Sequence, residues 1–187
     1  MAKEIWKPGN MLYPLPAVLV TVSDNKGNEN VFTVAWTGTV CSDPAMVYIS
    51  VRPSRYSYDM IRETGQFVIN LTTEKLAKAT DYCGVKSGRD ENKFEKMKLK
   101  TERAKYVKAP LLKDSPVNIE CEVVDITKLG THDMFLAKVL CVHADKRYMD
   151  DKGKFHLEKA HPLVYSHGQY YNTGKKIGKF GFSVKKK

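Results

Sequence analysis

The feature that most limits the fold of this chain is a series of short β-patterned segments separated by short connections. Six segments rich in β-branched and aromatic residues cover 17–22, 31–37, 46–51, 67–71, 117–126 and 134–143. A parallel sheet needs a long crossover, usually a helix, between successive strands. Most of these connections leave no room for one. The pattern therefore predicts an antiparallel barrel with a few short inserted helices rather than a doubly wound α/β sheet.

Turn and cap residues mark the ends of these segments. The run Asp24-Asn25-Lys26-Gly27-Asn28 predicts a hairpin turn, since Gly and Asn tolerate positive φ. Gly130 and the run over 150–154 predict two more turns. Three short helices are expected: one over 55–64 capped by Ser54, one to about Cys83 capped by Thr73, and one capped by Asp90 with Phe94 and Met97 on one face.

The length and composition predict a single globular domain over 1–187. The chain has 187 residues, 42% of them hydrophobic and 28% charged, values that exclude wholesale disorder. No apolar run is long enough to span a membrane or to form a signal-peptide core, so a cytoplasmic protein is expected. The four cysteines are far apart and predict free thiols, with Cys41, Cys121 and Cys141 as small buried hydrophobes.

The net charge is +10, which suggests an anionic partner without saying which one. Residues 86–108 hold nine basic and four acidic side chains, and residues 174–187 hold six lysines and no acid. The last three lysines are typical of a frayed end. The rest of this basic C-terminal tail alternates glycine with apolar residues, a pattern that indicates a strand or clasp packed on another surface: Ile177, Phe180, Phe182 and Val184.

Several common sites are excluded by their spacing. The glycines form neither G-x-G-x-x-G after a strand nor a P-loop, so neither a Rossmann fold nor a P-loop nucleotide site is supported. The histidines show no H-x-H or H-E-x-x-H, and the cysteines no C-x-x-C, so no metal is expected. No G-x-S-x-G elbow offers a hydrolase nucleophile.

Two neighbouring segments carry candidate binding chemistry. Asn30 to Thr39 reads N-V-F-T-V-A-W-T-G-T, where small residues let a planar ring approach the backbone and Trp36 offers an apolar face. The alternative is a core tryptophan before a plain turn.

The second segment follows a strand at a helix start and reads Arg52-Pro53-Ser54-Arg55-Tyr56-Ser57. Its guanidinium, hydroxyl and free N–H groups suit a phosphate. The alternative is an ordinary N-cap with surface arginines. Together the segments suggest a mononucleotide site.

Longer motifs around these segments resemble the flavin reductase-like, FMN-binding split-barrel family, and within it most of all the flavoredoxins. They are T-V-A-W-T-G-T-V-C-S-D-P-A-M-V-Y-I-S-V-R-P-S-R-Y-S-Y, G-Q-F-V-I-N-L, D-Y-C-G, G-T-H-D-M-F and L-V-Y-S-H-G-Q-Y-Y, at 33–58, 65–71, 81–84, 130–135 and 163–171. The resemblance spans roughly 10–184. It implies a mainly β fold, a Greek-key split barrel, and a homodimer with non-covalent FMN near the subunit interface.

The resemblance also implies roles for individual residues. Around the isoalloxazine and ribityl chain it places Asn30, Trp36, Thr37, Gly38, Thr39 and Cys41. On the phosphate it places Arg52, Ser54, Arg55 and Ser57. Further lining comes from Cys83, Gly84 and Lys93, and from Tyr165 and less securely Tyr170, either of which equally suits the core. His132 is placed beside the ring as the catalytic candidate, able to stabilise charge on reduced flavin or relay a proton. Without the resemblance it is a turn-capping histidine.

The function expected is electron transfer through FMN, from NAD(P)H or a redox protein to an acceptor. The basic surface suits an acidic redox protein as well as a dinucleotide phosphate, and the sequence does not choose between them. A hypothesis from another class is a basic β-barrel that binds nucleic acid. Against it, basic and aromatic residues do not interleave on one predicted strand face, as a stacking platform requires.

Overall fold

A computed structural model describes residues 2–184 of the chain. The frayed end expected at Lys185–Lys187 lies outside the described residues. Within 2–184 the strands are β1 (Leu15–Pro16), β2 (Val18–Ser23), β3 (Glu29–Val34), β4 (Thr37–Ser42), β5 (Ala45–Val51), β6 (Gln66–Leu71), β7 (Thr101–Glu102), β8 (Leu111–Leu112), β9 (Val117–Lys128), β10 (Asp133–Ala144), β11 (Leu163–Ser166) and β12 (Gln169–Asn172). The helices are α1 (Tyr56–Thr64), α2 (Ala77–Val85) and α3 (Lys93–Lys96), with 3₁₀ turns at Glu74–Leu76, Lys146–Tyr148, Leu157–Ala160 and Phe182–Val184. No described helix is long and apolar enough to cross a membrane.

Seven strands form one antiparallel sheet in the order β3-β2-β6-β9-β10-β5-β4. Its edge strands, β3 and β4, are consecutive in sequence and joined only by Ala35 and Trp36. Three Cα steps reach at most about 11 Å, whereas the edges of a flat seven-stranded sheet lie roughly 29 Å apart. The sheet must therefore curl until its edges meet. The Ser50 N–H donates to the Trp36 carbonyl at 2.8 Å, which extends the β5–β4 pairing into this link.

The main core fills the inside of the curled sheet. Val20, Phe32, Ile49, Phe67 and Phe135 are at most 5% exposed there. Helix α1 adds Tyr58, Met60 and Ile61 to the same cluster. A second cluster lies under α2 and α3, on the other face of β2 and β3, and is formed by Leu19, Val31, Leu76, Ala79, Cys83, Leu99 and Leu112 with Phe94 and Met97 against it. Strand β2 is buried at every position because both of its faces are covered.

The predicted mainly β fold with a few short inserted helices is confirmed, and so are its turns. Asp24 Oδ1 accepts the N–H groups of Lys26 and Asn28 at 2.8 Å in the β2–β3 hairpin. Asp150 Oδ1 likewise accepts the N–H groups of Lys152 and Lys154 in the turn over 150–154. The glycines of the three predicted turns have the expected positive φ, at Gly27, Gly130 and Gly153.

Some local predictions are wrong. The segment over 31–37 is not one strand: β3 ends at Val34 and the chain then turns into β4, which the sequence presented only as a turn. Helix α1 is capped by Arg55 and not Ser54, and Thr73 makes no side-chain cap bond. The third helix is capped by Asn92, whose Oδ1 accepts the N–H groups of Phe94 and Glu95, and not by Asp90.

The cysteines and the tail also differ from expectation. All four cysteines are free thiols, as predicted, but Cys41 and Cys141 are half-buried, while Cys121 is buried. The tail over 174–184 forms no strand; it ends in a 3₁₀ turn with apolar side chains exposed. Their exposed fractions are 93% for Ile177, 109% for Phe180, 60% for Phe182 and 81% for Val184.

Glu120 on β9 ties an irregular segment to the sheet. Its fully buried carboxylate accepts the N–H groups of Lys105, Tyr106 and Val107 at 2.6–3.1 Å, and it contacts His143 Nε2 at 2.6 Å. Desolvation opposes its ionisation, but the three backbone bonds and His143 outweigh that cost and lower the pKa of Glu120. The carboxylate therefore stabilises the folded chain as an anion.

We expect Glu120→Gln to lower the free energy of unfolding by about 3 kcal/mol at pH 7. The NH₂ end of the glutamine amide cannot accept hydrogen bonds, so the backbone N–H groups that bond to the replaced oxygen lose their acceptor in a buried place. Because the folded pKa lies below the ordinary 4.5, the carboxylate's contribution is complete above pH 4.5 and is lost as pH falls through the folded value. Urea unfolding should thus show variant and wild type converging in acid. Glu122→Gln, an exposed neighbour on β9, is the matched control; an equal loss there would contradict the assignment.

Candidate functional site

A cavity of about 590 Å³ opens where the barrel closes. Its wall combines the end of β3 and its link to β4, the end of β5 with the start of α1, the segment after α2, and single residues of α3, the β9–β10 turn and β11. The lining residues are Asn30, Phe32, Thr33, Val34, Ala35, Trp36, Ser50, Arg52, Ser54, Arg55, Tyr56, Ser57, Lys86, Ser87, Gly88, Arg89, Lys93, His132 and Tyr165. The volume suits one small molecule or mononucleotide.

The start of α1 forms one wall of this cavity. Arg52 leaves β5, and Arg55 caps the helix in extended conformation. The first N–H groups of a helix have no acceptor within it and carry the positive end of its dipole. Ser57 is buried, and its hydroxyl accepts a hydrogen bond from Asn30 Nδ2 at 2.8 Å. This wall therefore offers guanidinium, hydroxyl and backbone donors to one point.

The segment over 86–89 forms the facing wall and is bonded to the first. Arg89 Nη1 donates to the Ser54 carbonyl at 3.1 Å, and its guanidinium lies 5.3 Å from the centre of the Tyr56 ring. Arg55 Nη1 donates to the Gly84 carbonyl at 3.0 Å. Gly88 makes the close approach possible, because a Cβ there would lie 2.4 Å from Asn30 Oδ1 and 2.8 Å from Tyr56 Cδ1.

The charge of the cavity has one sign. Five cations line it, Arg52, Arg55, Lys86, Arg89 and Lys93, and none of the described lining residues is acidic. Like charges this close repel one another, so the arrangement costs folding energy that an anion would recover. Donors converging in this way at a helix start are the usual setting for a phosphate.

Lys93 is the buried member of the group, at 2% exposure. Its ammonium donates to the carbonyls of Cys83 at 3.2 Å and Lys86 at 3.1 Å, so it fixes the end of α2. Burial lowers the pKa of Lys93 to about 8, and the Arg55 charge acts in the same direction. An anion in the cavity would favour the charged form.

His132 reaches the cavity from the turn between β9 and β10. Its Nδ1 is 2.9 Å from the Thr131 hydroxyl, which leaves Nε2 as the ring atom for a ligand. Burial lowers the pKa of His132, and the charges of Arg52 and Arg55 lower it further. The imidazole is therefore mostly neutral at pH 7 and becomes a cation only in mild acid.

The predicted site residues fall into three groups. Nine line the cavity: Asn30, Trp36, Arg52, Ser54, Arg55, Ser57, Lys93, His132 and Tyr165. Cys83 and Gly84 lie behind the wall and contribute backbone carbonyls to Lys93 and Arg55; burial raises the pKa of the Cys83 thiol to about 11, so it is an unreactive thiol. Four lie on β4 outside the lining, namely Thr37, Gly38, Thr39 and Cys41.

The β4 residues have local partners of their own. The Thr37 hydroxyl donates to the Tyr48 carbonyl at 2.6 Å, and a Cβ at Gly38 would lie 3.1 Å from the Tyr48 ring. Thr39 is exposed, and the Cys41 thiol donates to the Asp43 carbonyl at 3.4 Å. Tyr170 is outside the cavity lining too; its ring centre lies 5.7 Å from that of Tyr165.

Sequence reasoning missed the wall over 86–89. Only the charge of the basic segment over 86–108 was noted, although Lys86, Ser87, Gly88 and Arg89 all line the cavity. The available signal was the succession Lys-Ser-Gly-Arg directly after a predicted helix, a glycine flanked by phosphate donors. Ser50 and Tyr56, which also line the cavity, were given no role of their own.

Comparison with known proteins relates this chain to flavin reductase-like proteins. A family model described as flavin reductase-like domain matches residues 11–174. A protein from Archaeoglobus fulgidus, itself without an assigned function, is 33% identical over 152 residues, 81% of this chain and 85% of its own length.

Solved structures with the same fold include two flavoredoxins. That of Desulfovibrio vulgaris (Miyazaki F) has a TM-score of 0.91 at 27% identity and covers 98% of this chain and 100% of its own. That of Methanosarcina acetivorans has a TM-score of 0.86 at 27% identity with the same coverage. A split-barrel-domain protein from Shewanella frigidimarina, 22% identical, covers 89% of this chain and 85% of its own at a TM-score of 0.80. The split-barrel fold predicted from the sequence is confirmed.

We expect Gly88→Ala to lower the free energy of unfolding by about 1–3 kcal/mol, since a methyl group there overlaps buried Asn30 and the Tyr56 ring. Chemical denaturation measures this loss. Gly174→Ala is the matched control, because a Cβ at Gly174 meets nothing within 4 Å. If both variants unfold like wild type, the wall over 86–89 does not pack as described.

Proposed function

This chain belongs to the flavin reductase-like domain family, and on that premise we propose that it is an FMN-binding oxidoreductase or electron carrier. Bound flavin would supply the redox chemistry, accepting electrons from a reduced donor and giving them to an acceptor. The residues of the chain would bind and orient the cofactor and adjust its potential. The observation that carries the proposal is the cavity with five cations and no acidic residue among its described lining.

The phosphate end of FMN fits the two facing walls. Arg52, Ser54, Arg55 and Ser57 would hold the phosphate with the first N–H groups of α1, and Arg89 would close on it from the other wall. Lys93 would contribute charge and hold the end of α2 in place. A dianion would reduce the repulsion among these five cations, which supports a phosphorylated ligand over a neutral one.

The ring end of FMN fits the closure of the barrel. Asn30, Trp36 and Tyr165 line this side with the backbone over 33–36. Thr37, Gly38, Thr39 and Cys41 follow on edge strand β4, with Cys83 and Gly84 behind the opposite wall. In a single chain Thr39 and Cys41 lie outside the lining; we assign them to the boundary with a second subunit, where the ring edge would reach them.

The electron donor that we propose is NAD(P)H or an acidic redox protein, in keeping with the net charge of +10. The family gives no support to the alternative of a nucleic-acid-binding barrel. The site's five cations also line a single cavity, whereas a nucleic-acid groove tracks a backbone.

We expect the purified protein to be yellow and to bind FMN more tightly than riboflavin. Arg55→Ala should weaken FMN by about tenfold or more and riboflavin much less, because only FMN carries the dianion. Titration of apoprotein by flavin fluorescence measures both affinities, and Arg62→Ala, on the exposed face of α1, is the matched control. Equal losses for both ligands in Arg55→Ala would remove the phosphate assignment.

Stopped-flow mixing of oxidised protein with NADH or NADPH then separates a reductase from a carrier that accepts electrons only from proteins.

We further expect a homodimer at micromolar concentration, closed partly by the tail over 174–184. Its apolar side chains are too exposed for a free end. Replacing Phe180 and Phe182 together by serine should shift the sedimentation equilibrium towards monomer, whereas replacing Lys175 and Lys176 should not. A wild-type monomer with FMN bound would overturn this expectation.

The last expectation concerns His132, which we propose stabilises negative charge on the reduced cofactor. His132→Ala should lower the midpoint potential by about 10–30 mV at pH 8. This range corresponds to the loss of one neutral hydrogen bond, since about 1.4 kcal/mol equals 30 mV for a two-electron couple. The difference should grow to about 30–60 mV in mild acid, because protonation occurs only below the ordinary pKa of 6.5. Potentiometry across pH 5.5 to 8 checks both. His161→Asn, a change of an exposed histidine, is the control; a pH-independent difference of zero would leave His132 as a turn residue.

A further inference from the structure

A cluster of unlike metal ligands lies on the sheet away from the cavity. Glu120 on β9 and Cys141 and His143 on β10 place a carboxylate oxygen, a thiol sulfur and an imidazole nitrogen within 4.8 Å of one another. None of the three lines the cavity at the barrel closure. The flavin-binding role proposed above makes no use of them.

The strand geometry explains how these residues meet. Cys141 and His143 are two positions apart on β10 and so share one face. A register shift between Val139 and Cys141 brings Cys141 directly opposite Glu120. Bulges of this kind re-aim side chains and are common beside functional sites. Both β10 ligands are half-buried, which gives an ion from solvent a way in, while Glu120 closes the site from below.

One of the four hydrogen-bond contacts of Glu120 could be exchanged for a cation. A carboxylate has about four lone-pair positions. Three accept backbone N–H groups, and the fourth is taken by His143 Nε2 at 2.6 Å. A metal ion held between Glu120 and His143 would replace only this last contact. The backbone bonds that fix residues 105–107 would remain, and they would orient the carboxylate as outer partners of a metal site do.

We propose that Glu120, Cys141 and His143 form a binding site for a divalent cation of the Zn²⁺ class, separate from the flavin cavity. Oxygen, sulfur and nitrogen together select Zn²⁺ over Mg²⁺ or Ca²⁺, which prefer oxygen alone. Three protein ligands leave a fourth tetrahedral position for water. On binding, the Cys141 thiol releases its proton to solvent, and His143 must carry any remaining proton on Nδ1 so that Nε2 can coordinate.

The search for metal motifs in the sequence could not reveal this group. The spacing C-x-H at 141–143 is short, and the third ligand comes from the neighbouring strand, 21 residues earlier. Only the pairing of β9 with β10, including its bulge, unites them.

The experiment is a titration of the purified protein, with its thiols reduced, by Co²⁺, followed by displacement with Zn²⁺. We expect one equivalent of Co²⁺ to give tetrahedral ligand-field bands in the red, beyond the flavin absorption, with a thiolate charge-transfer band. Zn²⁺ should abolish the bands and raise the Tm of wild type. Cys141→Ser should remove the charge-transfer band, and His143→Gln should weaken Co²⁺ by at least about tenfold, the smallest loss typical even of outer partners.

The matched control is His161→Asn, since His161 is an exposed histidine outside the group of Glu120, Cys141 and His143. It should leave the bands unchanged. Glu120→Gln is unsuitable because the substitution also loosens the segment over 105–107. Absence of the bands in wild type, or a charge-transfer band that survives Cys141→Ser, would overturn the proposal. Both results can be read whether or not the flavin assignment holds.

Discussion

The two-residue link between β3 and β4 is the constraint on which the rest of this structure depends. It joins the two edges of a seven-stranded sheet, so the sheet has to close on itself. Closure covers both edges, fills the inside with one apolar cluster, and places Trp36 at the seam. The seam cannot be packed by strands alone, because the edges there are bridged by a turn rather than paired along their length. The cavity is the space that remains, and the chain lines it with side chains from segments distant in sequence.

The same seam concentrates charge that the fold would otherwise avoid. Cations clustered without acids destabilise a folded chain, yet here each anchored cation is bonded to a backbone carbonyl: Arg55 to Gly84, Arg89 to Ser54, and Lys93 to Cys83 and Lys86. Carbonyl oxygens satisfy the donors without neutralising the charge. These bonds fix the positions of the two walls, and the positive potential stays available to a ligand. Both conditions are needed for preorganised binding of an anion.

The features that could be predicted from the sequence are those whose signal lies within one segment. Strands such as 67–71 and 134–143 are marked by their own composition, so they were predicted to within a residue or two. Strand β4 was missed because Thr-Gly-Thr-Val-Cys-Ser has neither alternation nor a run of apolar residues, and it forms as the partner of β5. Arg89 was missed for a related reason. A charged residue in a lysine-rich segment joins a binding site only if it packs against the other wall of that site, and Arg89 does so through Ser54, which is distant in sequence. By contrast, Arg52, Arg55 and Ser57 could be assigned to the cavity individually. They lie in one short run at the start of α1, so a sequence motif includes all three.

Strands β9 and β10 connect the two sites without coupling their electrostatics. His132 precedes β10 at one end, and Cys141 and His143 lie towards the other, so roughly 30 Å of extended strand separates them at about 3.3 Å per residue. Charges that far apart are screened at physiological ionic strength, where the Debye length is about 8 Å. A cation at Glu120 would therefore leave the flavin potential unchanged and act on the sheet itself. It would hold β9, β10 and the segment over 105–107 together from the outside, as the core does from within. The carboxylate that anchors that segment as an anion is thus also the group best placed to retain a metal.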